Sequence, residues 1–372
     1  MRYKRSIHAG YIFALTIFAL TGFSQTPAPK PTVTPDNDVI KIDSRLVVVP
    51  VSVTDGKGNP VSGLTPQDFR IAEEGRQQTI ETVSGADKVP LEIVLLFDVS
   101  ASTDAMFSFE LETAAKFLQE VMRPEDRATV FTIGEAPALV KGRDTSEHAI
   151  AAVRSIAPTK GFTAFYDTVT AASDYLRKNA PEGTRRVVLV ISDGEDNNSD
   201  RVAKAIQDGY HKLGEQINTM DSKTRYQYTV ATRNEAAVKE RMRVLQLLQN
   251  GDTVFYSINP AGSSFQLNQM SIFGQENMQK FAEDTGGTAF LPKFQPVDTK
   301  DNYLNANNTR RNSDMLDQIF RTIASELRSQ YLVQYYSEAD YPLNKYVRLD
   351  VGLKSAVPGV HLRARQGYYV KK

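Results

Sequence analysis

Leu91 to Ser102 reads LEIVLLFDVSAS, an apolar run that ends abruptly in one carboxylate and two hydroxyls. Residues Ile93 to Phe97 have the composition and length of a strand covered on both faces, as in a parallel sheet between helix layers. Asp98, Ser100 and Ser102 then emerge at its carboxyl end, where open α/β sheets form their ligand crevice. Oxygens at alternate positions in a chain turning out of a strand can converge on one point, and hard cations such as Mg2+ take oxygen ligands. Taken alone, the stretch equally fits a buried strand followed by an Asp/Ser-rich turn.

The 372 residues suffice for two domains, each with its own core. Lys and Arg together number 44, as do Asp and Glu, so overall charge gives no reason to expect a nucleic-acid partner. With no cysteine, disulfides, thiolate zinc sites and thiol nucleophiles are excluded. Arg2, Lys4 and Arg5 precede an apolar span from Ala9 to Phe23, with small residues Gly22 and Ser24 at a cleavage point. Residues 1–24 therefore read as an export signal and 25–41, rich in Pro and Thr, as a flexible linker. The expected location is secreted, periplasmic or cell-envelope, with membrane attachment only if the first segment is retained as an anchor.

Residues 42–89 have the texture of an antiparallel β-domain, with LVVVPVSVT at 46–54, a Gly-containing turn at 55–59 and short strands around Phe69 and Ile80. Pro50 argues for an edge strand or a bulge. These strands are too few to close a sandwich, and 330–372 supplies more: QYLVQYY, KYVRLDVGL and VHLRARQGYYV. The fold expected is α/β, a doubly wound, mostly parallel sheet over 90–329, inserted in a discontinuous antiparallel β-sandwich-like domain. Within 90–329, strands at Arg127–Ile133, Arg186–Ile191 and Thr253–Ile258 alternate with helical patterns. Residues 200–250 read as an extended helical region, longer than one crossover needs and so an insertion of unassigned chemistry, while Asn302 to Asn312 reads as a polar surface loop.

Two later stretches bear on the opening one. GFTAFYD at 161–167 places a hydroxyl, Thr163, just before a helix, and ISDG at 191–194 places Asp193 at the end of the strand RVVLVI. In a doubly wound sheet both lie on the rim that carries Asp98. The pattern Asp-x-Ser-x-Ser, then Thr, then Asp resembles the metal-ion-dependent adhesion site of von Willebrand factor type A domains. The layout around it, including LVVVPVSVTDGKGNPVSGLTPQDFRIAEEG and the terminal ELRSQYLVQYY and QGYYV, resembles secreted bacterial proteins of the kind found in acidobacteria. The resemblance implies that Ser100, Ser102 and Thr163 coordinate a metal directly, and that Asp98 and Asp193 act directly or through water. It implies Mg2+, with Mn2+ or Ca2+ as alternatives, and a protein partner that supplies an Asp or Glu carboxylate. The 200–250 insertion departs from that pattern.

Asp167 and Glu195 stand near enough to support such a site, Asp167 reading more simply as a helix cap or a solvent-facing acid. Asp196 to Asp200 reads as a solvated turn. An enzyme is the weaker expectation, because His148, His211 and His361 fall outside any triad-like order and Ser100 lacks a base. No phosphate-cradling loop is present. A metal-assisted hydrolase and a structural envelope protein are the alternatives to an adhesion module.

Overall fold

Short β-branched segments build the first strands: β1 (Arg45–Thr54), β2 (Phe69–Glu73), β3 (Arg76–Gln77) and β4 (Ile80–Gly85). The computed structural model describes residues 45–370 apart from 86–88, 101–103, 160, 261–268, 298 and 356–357. The expected signal, residues 1–24, and the linker, 25–41, lie outside the described residues, as does Ser102. Next come β5 (Leu91–Asp98), α1 (Asp104–Val121), β6 (Arg127–Ile133), β7 (Ala138–Asp144), α2 (Ser146–Arg154), α3 (Phe165–Asn179) and β8 (Arg185–Ile191). Helices α4 (Asp200–Leu213), α5 (Gln216–Thr219) and α6 (Ser222–Asn250) lead to β9 (Thr253–Ile258), α7 (Gln269–Thr285), β10 (Ala289–Phe290) and α8 (Asn302–Ser329). Strands β11 (Tyr331–Ser337), β12 (Tyr346–Leu353), β13 (His361–Ala364) and β14 (Gly367–Tyr369) follow.

The central sheet has the order β10-β9-β8-β5-β6-β7 and is parallel except for β7. Strand β5 lies in its middle and is buried on both faces: Leu91, Ile93, Leu95 and Phe97 join the core under α1, α2 and α8, while Val94 and Leu96 join the core under α3, α6 and α7. Each such side chain contributes about 1.5–3 kcal/mol of burial, which anchors β5 firmly in the sheet. Glu92 is the exception in this apolar run. It is buried and takes a two-pronged ion pair from Arg143 of β7, at 2.7 Å for the closest contact, which satisfies both carboxylate oxygens.

The remaining strands form two four-stranded sheets, β13-β1-β11-β4 and β14-β12-β2-β3. Strand β1 pairs antiparallel with β11 and β13, and β2 pairs with β12, so the segments on either side of the α/β region share their ladders. Val47, Val49, Val51, Val53, Phe69, Ile71, Val333, Val347 and Leu349 pack between the sheets. At the centre of that core Glu73, fully buried, accepts hydroxyl hydrogens from Tyr335 at 3.0 Å, Ser337 at 2.8 Å and Tyr368. All the described strands and helices fall in one compact unit, Asp43–Lys372.

Three elements differ from the sequence reading. Pro50 does not put β1 at an edge: β1 is interior, and the ladder with β13 starts at Val51, one residue past the proline that cannot donate. Asn302 to Asn312 is helical, as the first turns of α8. Its asparagines strap the segment before it: Asn305 bonds Thr299, Asn308 bonds Pro296, and Asn312 holds both backbone groups of Gln295. A polar stripe thus replaces the apolar stripe that marks most helices. Edge strand β7 was not expected, because its exposed ALVKGRD lacks the alternation of a half-buried strand.

Candidate metal centre

Strands β5 and β8 are neighbours in register, with Phe97 opposite Ile191, so Asp98 and Ser192 leave the sheet side by side. The Ser192 hydroxyl donates to Asp98 Oδ2 at 2.6 Å and accepts the Gly194 N–H at 2.9 Å. Asp98 Oδ1 takes both the hydroxyl of Ser100, at 2.6 Å, and its backbone N–H, at 3.0 Å. A serine hydroxyl that gives its hydrogen to a carboxylate keeps its lone pairs for another electrophile. Ser192 was not among the residues expected here; its signal was its place in ISDG, one step before Asp193 at the end of the strand beside β5.

Asp193 follows at once, its Oδ1 accepting the Glu195 N–H at 2.9 Å. The loop that carries it lies against α7 with no room for side chains. A Cβ on Gly194, whose φ is +75°, would sit 2.6 Å from the Gly274 carbonyl oxygen, and a Cβ on Gly274 would sit 2.6 Å from that of Asp193. Backbone contact this close fixes the height of Asp193 on the rim. Glu195 is engaged in turn by the Ser271 hydroxyl of α7.

Thr163 comes from the loop before α3 and is buried. Asn197 clamps it from both sides: its Oδ1 accepts the Thr163 N–H at 2.7 Å, while the N–H groups of Asn197 and Asn198 donate to the Thr163 carbonyl at 3.0 and 3.1 Å. Among the described residues nothing holds the Thr163 hydroxyl itself. Phe162, beside it, is 60% exposed on the same rim.

The stretch Asp196 to Asp200 is not a solvated turn. Asp196 accepts the Tyr166 N–H at 3.1 Å together with the Ser199 hydroxyl and N–H, and Asp167 accepts the N–H of Asp200 at 2.8 Å. Asp167 therefore caps α4, a helix other than its own, and Asp196 ties the start of α3 to the start of α4.

These carboxylates ionise against resistance. Burial raises Asp98, its hydrogen bonds from Ser100 and Ser192 oppose the rise, and the nearby Glu195 charge adds to it. Burial pushes Asp193 up to about 6, helped by the charges of Asp98 and Glu195. Asp196 is pushed to about 6, chiefly by burial. The charges acting on the Asp98 and Asp193 pair are negative, an arrangement that a divalent cation relieves. Among the described residues no three acidic or histidine side chains gather at one point, and at Asp98 the neighbouring oxygens are the hydroxyls of Ser100 and Ser192. That donor set suits a hard ion.

Of the five residues expected to form the site, Asp98, Ser100, Thr163 and Asp193 stand on adjoining loops of one rim, and Ser102 lies outside the described residues. Among the described residues, neither His148, exposed and bonded to Asp144 at 3.0 Å, nor another histidine takes part.

Residues 93–195 match the von Willebrand factor type A domain. The match contains Asp98, Thr163 and Asp193 and stops before the helices α4 to α6. Similar solved structures include proximal thread matrix protein 1 of the mussel byssus, at 13% identity and TM-score 0.41 over 69% of this chain and 50% of that one. A further structure of that mussel protein is described with zinc in its metal-ion-dependent adhesion motif. Others are an aerotolerance-related membrane protein from Bacteroides fragilis, at 14% identity and TM-score 0.34 over 62% of this chain and 98% of that one, and the PilB minor pilin of Streptococcus sanguinis, at 11% and 0.41 over 64% and 62%. The chain spans about half the length of the mussel protein. A search of curated proteins found no match. The type A domain match covers the central sheet through β8, the part of the fold that presents the rim.

Proposed function

We propose that this chain is a metal-dependent protein-binding module of the cell envelope. Ser100, Ser102 and Thr163 would hold a divalent cation directly, with Asp98 and Asp193 binding it directly or through water. The observation that carries the reading is a pair of neighbouring carboxylates, held part-buried on adjoining loops with negative charges around them and hydroxyls beside them. Mg2+ fits this donor set best, with Mn2+ and Ca2+ as alternatives; once bound, it would supply a position open to one more oxygen. An acidic side chain of a partner protein is the natural occupant, and the exposed ring of Phe162 borders its approach.

The chain's own residues do the rest. Ser192 and Ser100 orient Asp98, the Gly194–Gly274 contact sets the height of Asp193, and Asn197 fixes the Thr163 backbone. Export follows from the basic, then apolar, residues 1–24. Among the described residues no helix is long and apolar enough to cross a membrane. Calorimetric titration of Mn2+ into the full chain tests the reading: one ion per chain is expected, with Thr163→Ala weakening it by about 10 to 100-fold. Equal affinity in the Thr163 variant refutes the assignment.

A further inference from the structure

Helices α4 and α6 stand where a crossover would ordinarily run down the side of the sheet, and their contacts fix which way they point. The start of α4 is on the rim, since the Asp200 N–H is bonded to Asp167 in the first turn of α3. The lower half of α6 runs alongside α3. Partway down α3, Arg243 of α6 bonds Thr170 at 2.8 Å, and at the opposite end of the sheet Arg186 bonds the carbonyls of both Ala180 and Gly251. Val244, Leu245 and Leu248 are buried in the core there. Above Ala236 and Ala237, which still pack against that core, the same unbroken 29-residue helix has no sheet to cover.

What it covers instead is α4. Tyr228 donates to the Gly209 carbonyl at 3.0 Å, Tyr210 bonds Thr229, the two tyrosine rings stack, and Arg201 reaches Glu240. These pairs advance along α4 as they retreat along α6, so the two helices form an antiparallel hairpin rooted at the rim. Gly209 makes the close approach: a Cβ there would lie 3.0 Å from the Tyr228 hydroxyl. The first turn of α4 buries Val202 in the core, so at a rise of 1.5 Å per residue the rest of its 14 residues gives the hairpin about 15 Å of length past the rim. Its root is seven residues from Asp193.

We infer that this hairpin is a steric screen beside the metal rim, which admits a carboxylate carried on a projecting loop or chain end and keeps out one carried on a flat surface. The inference rests on the proposed metal-centred binding and adds the shape of the partner to it. A carboxylate on a broad face meets the hairpin tip while still about 15 Å above the rim, whereas one on a narrow segment passes alongside.

The test uses carboxylates on a planar surface, attached through short tethers of about 5 Å or long flexible tethers reaching about 40 Å, with capture of the full chain measured in Mg2+ and in chelator; a tether unable to span the gap gives an effective concentration near zero. The expected result is Mg2+-dependent capture on long tethers only, at least about tenfold above the short ones. A variant with 205–236 replaced by a short Gly-Ser turn should be captured on both, if its melting shows it folded. Equal Mg2+-dependent capture of the intact chain on short and long tethers overturns the screen while leaving the metal-centred reading standing. Capture indifferent to Mg2+ on every surface overturns both.

Discussion

Replacing Asp193 by Asn removes one negative charge while keeping an oxygen to accept the Glu195 N–H, now bonded at 2.9 Å. In the folded, metal-free protein the Asp193 carboxyl is raised from 3.8 to about 6. A carboxyl raised on folding costs stability when ionised: the cost is absent below the unfolded value near 3.8 and complete above about 6. Two units correspond to about 3 kcal/mol, and discounting for residual water contact leaves about 1–3 kcal/mol at pH 7. In chelator the Asn variant should therefore melt a few degrees above the wild type at pH 7, and the gap should close as the pH falls toward 4. Mg2+ shrinks the gap, since ion at 100 times the wild-type dissociation constant adds about 2.7 kcal/mol to the wild type but only about 0.4–1.4 kcal/mol to a variant that binds it about 10 to 100-fold more weakly. The assay is a set of thermal melts of both proteins from pH 4 to 7, with Mg2+ and with chelator. A variant less stable than wild type in chelator at pH 7, or a gap that Mg2+ leaves unchanged, refutes the reasoning.

Other substitutions reach the same account from different sides. Gly274→Ala forces a Cβ to 2.6 Å from the Asp193 carbonyl, so it should cost about 1–3 kcal/mol and lower Mn2+ affinity about tenfold or more by calorimetry; normal affinity would show that the loop tolerates displacement. Glu73→Gln leaves three hydroxyls with one acceptor too few and should cost about 1–3 kcal/mol by urea melting, with no change in Mn2+ affinity. Deleting Tyr331 to Lys372 removes the partners of β1, β2 and β4, and limited proteolysis should then cut within Arg45–Gly85; a resistant N-terminal segment would mean that it folds alone.

The central strand and the rim were legible because they depend on signals that survive in one dimension. Leu91–Phe97 is apolar on both faces, and Asp98, Thr163 and Asp193 each sit where a strand or loop meets a helix start. The ties that hold the rim were less visible. Asn197 and Asp196 act through partners 34 and 30 residues away, and nothing local distinguishes them from turn residues, while Ser192, marked only by its place before Asp193, acts through one 94 residues away. The polar start of α8 failed to show for another reason. It is held by asparagines bonded to a preceding loop, so it lacks the apolar stripe by which a helix is recognised. The clustering of ELRSQYLVQYY, QGYYV and FRIAEEG around Glu73 likewise needs the folded sandwich: Tyr335, Tyr368 and the acid are separated by most of the chain.

Crystals of the full chain grown with Mn2+ and measured at the manganese absorption edge show whether an ion sits at the rim. One anomalous peak is expected there, about 2.1 Å from the hydroxyls of Ser100 and Thr163 and within direct or water-bridged reach of Asp98 and Asp193. A peak elsewhere, or none at this rim with Mn2+ in excess, would contradict the metal-centred reading.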